Sequence, residues 1–155
     1  MIVFQHSLDG AEVTIHVPER AEDLEGFRSF LARGDKVLGA DTETTGLNAF
    51  GREFAIRLVQ FGNRDESWVL RADRFPEAIR AAFGQDRRFV FHNLPFDGLS
   101  LDRHLGIRVE DLGPKCFDTK ILGHLLDPRM KSEGGVGLRL KELSEIYVAA
   151  DAPDT

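Results

Sequence analysis

The chain has 155 residues, enough for one domain around a single hydrophobic core. Its 42% hydrophobic and 30% charged residues are ordinary for a globular protein, and no apolar run approaches the roughly 18–20 residues of a membrane span. A net charge of −6 argues against non-specific attachment to a polyanion, but not against acids held in reserve for metal ions. The start, MIVFQHSLDG, has no basic region followed by a long apolar stretch, so no signal peptide is expected. The single cysteine, Cys116, excludes an internal disulfide or a cysteine-based zinc site. It reads as a small buried hydrophobe in a reducing cytoplasm.

In chain order, MIVFQH and EVTIHVP read as strands joined by a turn at Asp9-Gly10, a hairpin within residues 1–18. AEDLEGFRSFLARG places Leu24, Phe27, Phe30 and Leu31 at helical spacing, with Gly34 as its stop. KVLGADTE, EFAIRLVQFGN and ESWVLRA follow as three strands, and the short GNRDE link makes the last two antiparallel. FPEAIRAAFG reads as a helix, RRFVFHN as a buried strand and LPFDGLSLDRHLG as a helix capped by Asn93, with Pro95 in its first turn. CFDTKILGHLLDP reads as a helix along Phe117, Ile121 and Leu125, stopped by Pro128. RMKSEGGVG reads as a flexible loop, and LRLKELSEIYV as a last helix with Leu140, Leu143 and Tyr147 on one face. A meander followed by alternating helices and strands indicates an α/β fold, a mixed five-stranded sheet with helices on both faces.

VLGADTETTGL carries the chemistry. Side chains alternate along a strand, so Asp41 and Glu43 share a face with Val37 and Gly39, while Thr42 points the other way. Two carboxylates about 7 Å apart on one strand face repel and lose hydration. A divalent cation between them makes the pair tolerable; a solvated strand end would also do so. Oxygen donors without neighbouring cysteine or histidine favour Mg²⁺ or Mn²⁺. In HNLPFDGLSL, Asp97 projects from the first turn of its helix. There it either answers the helix dipole or supplies a third carboxylate.

DTETTGL, HNLPFDGLSL and FDTKILGHLL, in that order, resemble the DEDD (DnaQ-like) 3′–5′ exonucleases, and in particular the proofreading domains of family A DNA polymerases. The resemblance implies a ribonuclease-H-like fold over nearly the whole chain, with residues 1–155 as one exonuclease domain, C-terminally incomplete, and the hairpin as an accessory element. It implies that Asp41, Glu43 and Asp97, with a fourth acid, hold two Mg²⁺ or Mn²⁺ ions and hydrolyse the terminal phosphodiester of a single-stranded DNA 3′ end. Thr44, Leu47, Asn93 and Phe96 are the implied substrate contacts, Leu47 as an apolar wedge. A polymerase domain in the same or a partner chain is the implied partner, in a bacterial or phage-infected cell. An RNA-trimming or structure-specific nuclease, or a catalytically weak 3′-end-binding domain, is the alternative.

The family's fourth acid follows a Tyr or His on a later helix. Tyr147 and Asp151 have that spacing if their helix continues, but Tyr147 also completes the apolar stripe of Leu140 and Leu143, so the ligand either is Asp151 or lies beyond Thr155. The five histidines show no metal-ligand spacing, and His92 is expected to be structural or close to the site. GGVG lacks the Lys-Ser/Thr of a P-loop.

Overall fold

The computed structural model describes residues 1–8 and 10–148. Strands β1 (Ile2–Leu8) and β2 (Ala11–Val17) form an antiparallel hairpin, and a 3-10 turn at Ala21–Asp23 leads into α1 (Leu24–Ala32). Next come β3 (Val37–Thr44), β4 (Ile56–Gly62) and β5 (Glu66–Arg71), then α2 (Pro76–Phe83), β6 (Arg88–Phe91) and α3 (Leu94–Leu105). The short α4 (Val109–Leu112), β7 (Cys116–Asp118), α5 (Thr119–Leu126) and α6 (Leu140–Tyr147) follow.

One mixed sheet runs in the order β1-β2-β5-β4-β3-β6-β7. The α/β expectation holds, but the sheet has seven strands where five were expected. The hairpin does not stand apart: Thr14–His16 pair in parallel with Glu66–Trp68. His16 stacks on the Trp68 indole at 4.4 Å, which cements that junction. The seventh strand, Cys116–Asp118, lies parallel to β6 where a helix start was expected. Asp118 is the N-cap of α5, so the chain stays extended through Phe117 and turns helical only at Thr119. Phe117, Ile121 and Leu125, expected on one helical stripe, are therefore divided between strand and helix, and all three are exposed.

Strand alternation sorts the sheet into two unlike faces. Leu38, Ala40 and Thr42 of β3, Phe61 of β4, Trp68 and Leu70 of β5, and Phe89 and Phe91 of β6 are buried on one of them. Phe27 and Phe30 of α1, Ile79 and Phe83 of α2 and Leu101 of α3 cover that face. Phe83 lies with its ring centroid 4.9 Å from those of both Phe61 and Phe89. Val37, Gly39, Asp41 and Glu43 are exposed on the opposite face. There α5 and α6 stand off across a cleft of about 1410 Å³ whose floor includes Gly39, Gln60, Gly62 and Val90. Gly34 ends α1 at φ +85° and Gly106 ends α3 at φ +65°, left-handed positions where a side chain would be strained.

Helix α1 sits flush on Trp68. A Cβ on Gly26 would come 2.6 Å from the tryptophan Cη2, and the indole cannot move aside because its N–H donates to Glu66 Oε1 at 2.7 Å. Gly26→Ala should therefore destabilise the fold by about 1–3 kcal/mol, although alanine favours helix by about 1 kcal/mol. Urea denaturation measures this; a variant at least as stable as the parent would contradict the packing.

Candidate active site

The site forms where β6 leaves β3. The two run parallel only through Val37↔Arg88, Leu38↔Phe89 and Gly39↔Val90, after which the chain turns at His92-Asn93 into α3. Beyond that point β3 keeps β4 on one side, through Asp41↔Gln60, Thr42↔Val59 and Glu43↔Leu58, and has no strand on the other. Asp97 fills the vacancy. Its Oδ1 accepts the Thr42 backbone N–H at 3.2 Å and the Thr42 hydroxyl at 2.6 Å. A carboxylate thus replaces the missing strand, and Asp97 is only 3% exposed.

Asp41, Glu43 and Asp97 line the same cleft and feel one another. Burial holds the Asp97 carboxyl at about 6, with the neighbouring Asp41 charge pushing the same way and the Thr42 hydrogen bonds opposing. Asp41 is raised by the protein packed around it and then by Glu43, while His92 counteracts. Carried two residues on, the β3–β6 register brings His92 level with Asp41. The imidazole Nδ1 lies 2.9 Å from Thr119 Oγ1, whose own proton goes to the Phe91 carbonyl at 3.2 Å. Nδ1 is then the donor in that contact, and His92 lines the cleft. His92 is both structural and at the site.

Sequence reasoning missed Asp118. Its Oδ1 accepts the N–H groups of Asn93 and Lys120 at 3.0 and 2.9 Å, and its Oδ2 accepts that of Leu94 at 2.9 Å. One buried carboxylate thus caps both α3 and α5. An Asp immediately before a helical run was the available signal. Asn93, expected to cap α3, makes no side-chain cap. It sits at φ 69°, ψ 49°, and its Oδ1 accepts from Lys120 Nζ at 3.1 Å.

The other expected residues are dispersed around the carboxylates. Phe96 lines the cleft and meets Phe54 edge-on at 6.3 Å. The Thr44 hydroxyl donates to the Gly46 carbonyl at 2.7 Å, bracing the turn after β3, and Leu47 is 89% exposed beyond it. Cys116 is half-buried and its thiol is pushed up to about 11 by that burial. Tyr147 does not complete a buried stripe: Leu143 is buried, but Tyr147 is 52% exposed at the end of α6. Asp151 lies outside the described residues.

A sequence profile of the 3′–5′ exonuclease family matches residues 15–153. The chain belongs to this family. It is 44% identical over 154 residues to the DNA polymerase of Mycobacterium phage L5, an alignment that takes in 97% of this chain but 26% of that protein. The chain thus spans about a quarter of the length of this relative. Among solved structures, the Nibbler EXO domain of Aedes aegypti shares the fold, with a TM-score of 0.64 at 15% identity over 86% of this chain and 68% of that one. So does Brucella melitensis NrnC with bound Mg²⁺, with a TM-score of 0.55 at 23% identity over 77% of this chain and 56% of that one. Members of this exonuclease family are hydrolases of phosphodiester bonds. The resemblance read from DTETTGL and HNLPFDGLSL is borne out at the level of family and fold.

The donors fit hard divalent cations in kind, since three carboxylates line one cleft. As they stand, no three His, Cys, Asp or Glu side chains among the described residues converge closely enough to hold an ion. One oxygen of Asp97 is engaged by Thr42. An ionised group held about two pH units above its ordinary value costs roughly 3 kcal/mol at neutral pH. Asn can accept both Thr42 hydrogen bonds without the charge. Asp97→Asn should therefore raise metal-free stability by up to about 3 kcal/mol at pH 7. The sign follows from a raised acid: stability present while Asp97 is protonated near pH 4 is lost as pH rises through about 6, so the variant's advantage should vanish near pH 4. Denaturation in chelator across that range measures it. A variant less stable than the parent at pH 7 would contradict an ionised, uncompensated Asp97.

Proposed function

We propose that this chain removes nucleotides from the 3′ end of single-stranded DNA as the proofreading portion of a longer DNA polymerase, in the cytoplasm of a phage-infected bacterium. The observation that carries this reading is that Asp41, Glu43 and Asp97, from two elements, line one open cleft of a 3′–5′ exonuclease-family chain. The phage L5 relative, named a DNA polymerase, supports the polymerase setting. No helix among the described residues is long and apolar enough to cross a membrane.

In this proposal the three carboxylates would hold two Mg²⁺ or Mn²⁺ ions, whose chemistry there would be a more acidic water and charge stabilisation at the leaving 3′ oxygen. The chain's own contribution is placement. Thr42 fixes Asp97 at the sheet edge, and Asp118 holds the start of α3 that carries it. His92 lies in the cleft lining with Asp41, and Leu47 meets the terminal base. Thr44, Asn93 and Phe96 complete the substrate contacts, with Asn93 acting through the Lys120 ammonium that it anchors. Lys120 and Arg139, which also line the cleft, offer cations to the strand's phosphates. Glu142 also lines the cleft, but Lys131 and the Arg139 N–H occupy it. The fourth ligand is accordingly proposed to come from outside residues 1–148.

A 5′-labelled single strand should be shortened stepwise from its 3′ end in Mn²⁺, and a 3′-phosphorylated strand should resist. Asp41→Ala and Glu43→Ala should each lower the rate by about 10²-fold or more. Digestion of RNA but not DNA would move the substrate, and tight binding of 3′ ends without cleavage would leave a binding domain. Full activity in both variants would remove the site from these carboxylates.

A further inference from the structure

The connection from β3 to β4, residues 45–55, is long for an antiparallel pair, and it is built rather than slack. Its ends are tied by Thr45 N–H to the Ala55 carbonyl at 3.0 Å and by Ala55 N–H to Thr45 Oγ1 at 3.0 Å. The Thr45 hydroxyl donates to the Glu53 carbonyl at 2.9 Å, and Asn48 Oδ1 accepts the Phe50 N–H at 3.1 Å. Phe54 plugs the loop onto α3, meeting Phe96 at 6.3 Å and His104 at 5.0 Å. A loop braced this fully nevertheless leaves the Phe50 ring 65% exposed. An exposed phenyl adds little to folding, so its rigid display needs another reason.

The Arg103 guanidinium lies over one face of that ring, 4.5 Å from its centroid. With the residue 65% exposed, ring surface that Arg103 does not cover is left to solvent. No carboxylate among the described residues pairs with Arg103, so the N–H edge of the stacked guanidinium is available. The pair is carried by the same two segments that carry the carboxylates. The loop begins directly after Thr44, next to Glu43, and Arg103 follows Asp97 on α3 by six residues, about 9 Å along the helix axis.

We propose that Phe50 and Arg103 form a nucleotide subsite outside the carboxylate cleft, where a base upstream of the 3′ end stacks on the exposed ring of Phe50 and the strand's phosphate meets the Arg103 edge. This rests on the reading of the chain as a single-strand DNA nuclease. An aromatic ring backed by a guanidinium suits a base, because every base has a π-face and stacking tolerates any sequence. It would fix the path of the strand entering the site without reading its sequence.

The test uses steady-state digestion of an oligothymidylate and a tryptophan reporter. Phe50→Ala should raise KM about tenfold, with kcat within about twofold, since stacking on one base contributes about 1–3 kcal/mol. Phe50→Trp should restore the KM. Its exposed indole should be quenched when the oligonucleotide is added in Ca²⁺, while the parent, whose one tryptophan, Trp68, is 2% exposed, should not respond. Thermal melting of the alanine variant should match the parent, because the ring is exposed. A Phe50→Ala enzyme with the parental KM, or an unquenched Phe50→Trp, would overturn the subsite. A parent that digests no single strand overturns the nuclease reading instead, and quenching of Phe50→Trp by the strand would then still support the subsite.

Discussion

The Thr42–Asp97 contact is the constraint on which the rest of the site depends. A strand that loses its neighbour leaves backbone donors unsatisfied, and here a side chain from the following helix takes that role. The substitution makes Asp97 part of the sheet edge rather than of the helix surface. It also brings Asp97 within electrostatic reach of Asp41, on a side chain that points to the opposite face of β3. The fold is thereby committed to crowded negative charge, which burial makes costly and the Thr42 hydrogen bonds offset only in part.

That arrangement depends in turn on where α3 begins. Asp118 reaches back from the end of β7 to the first N–H groups of α3 while capping its own helix, α5. The start of α3, which carries Asp97, and the α5 side of the cleft are therefore tied through one acid. The floor of the cleft stays open because small residues, Gly39 and Gly62, face it from adjacent strands.

Much of this was legible in the sequence. The alternation in VLGADTE gives the shared face of Asp41 and Glu43, and FVFHNLPFD gives a strand running into a helix that carries a third acid. What was not legible is tertiary. No local pattern shows that Thr14–His16 would join the sheet through a parallel pairing with β5, because that pairing is read by Trp68 and Glu66, some fifty residues away. Periodicity misled at Phe117, Ile121 and Leu125, whose spacing is helical although the stripe is neither continuous helix nor buried. Asn93 looked like a cap by residue type, but the competing carboxylate of Asp118 comes from a strand 25 positions later.

The proposed ion-ligand role of Asp97 rests on the claim that its surroundings hold its carboxyl at high proton affinity. Its carboxyl carbon can be followed directly by ¹³C NMR through a pH titration, with and without Mg²⁺. In chelator the midpoint should fall near 6, well above an ordinary aspartate. With saturating Mg²⁺ it should drop below that of an ordinary aspartate, because a bound cation favours the charged form. An Asp97 that titrates near 4 in chelator, or whose midpoint ignores Mg²⁺, would contradict the claim.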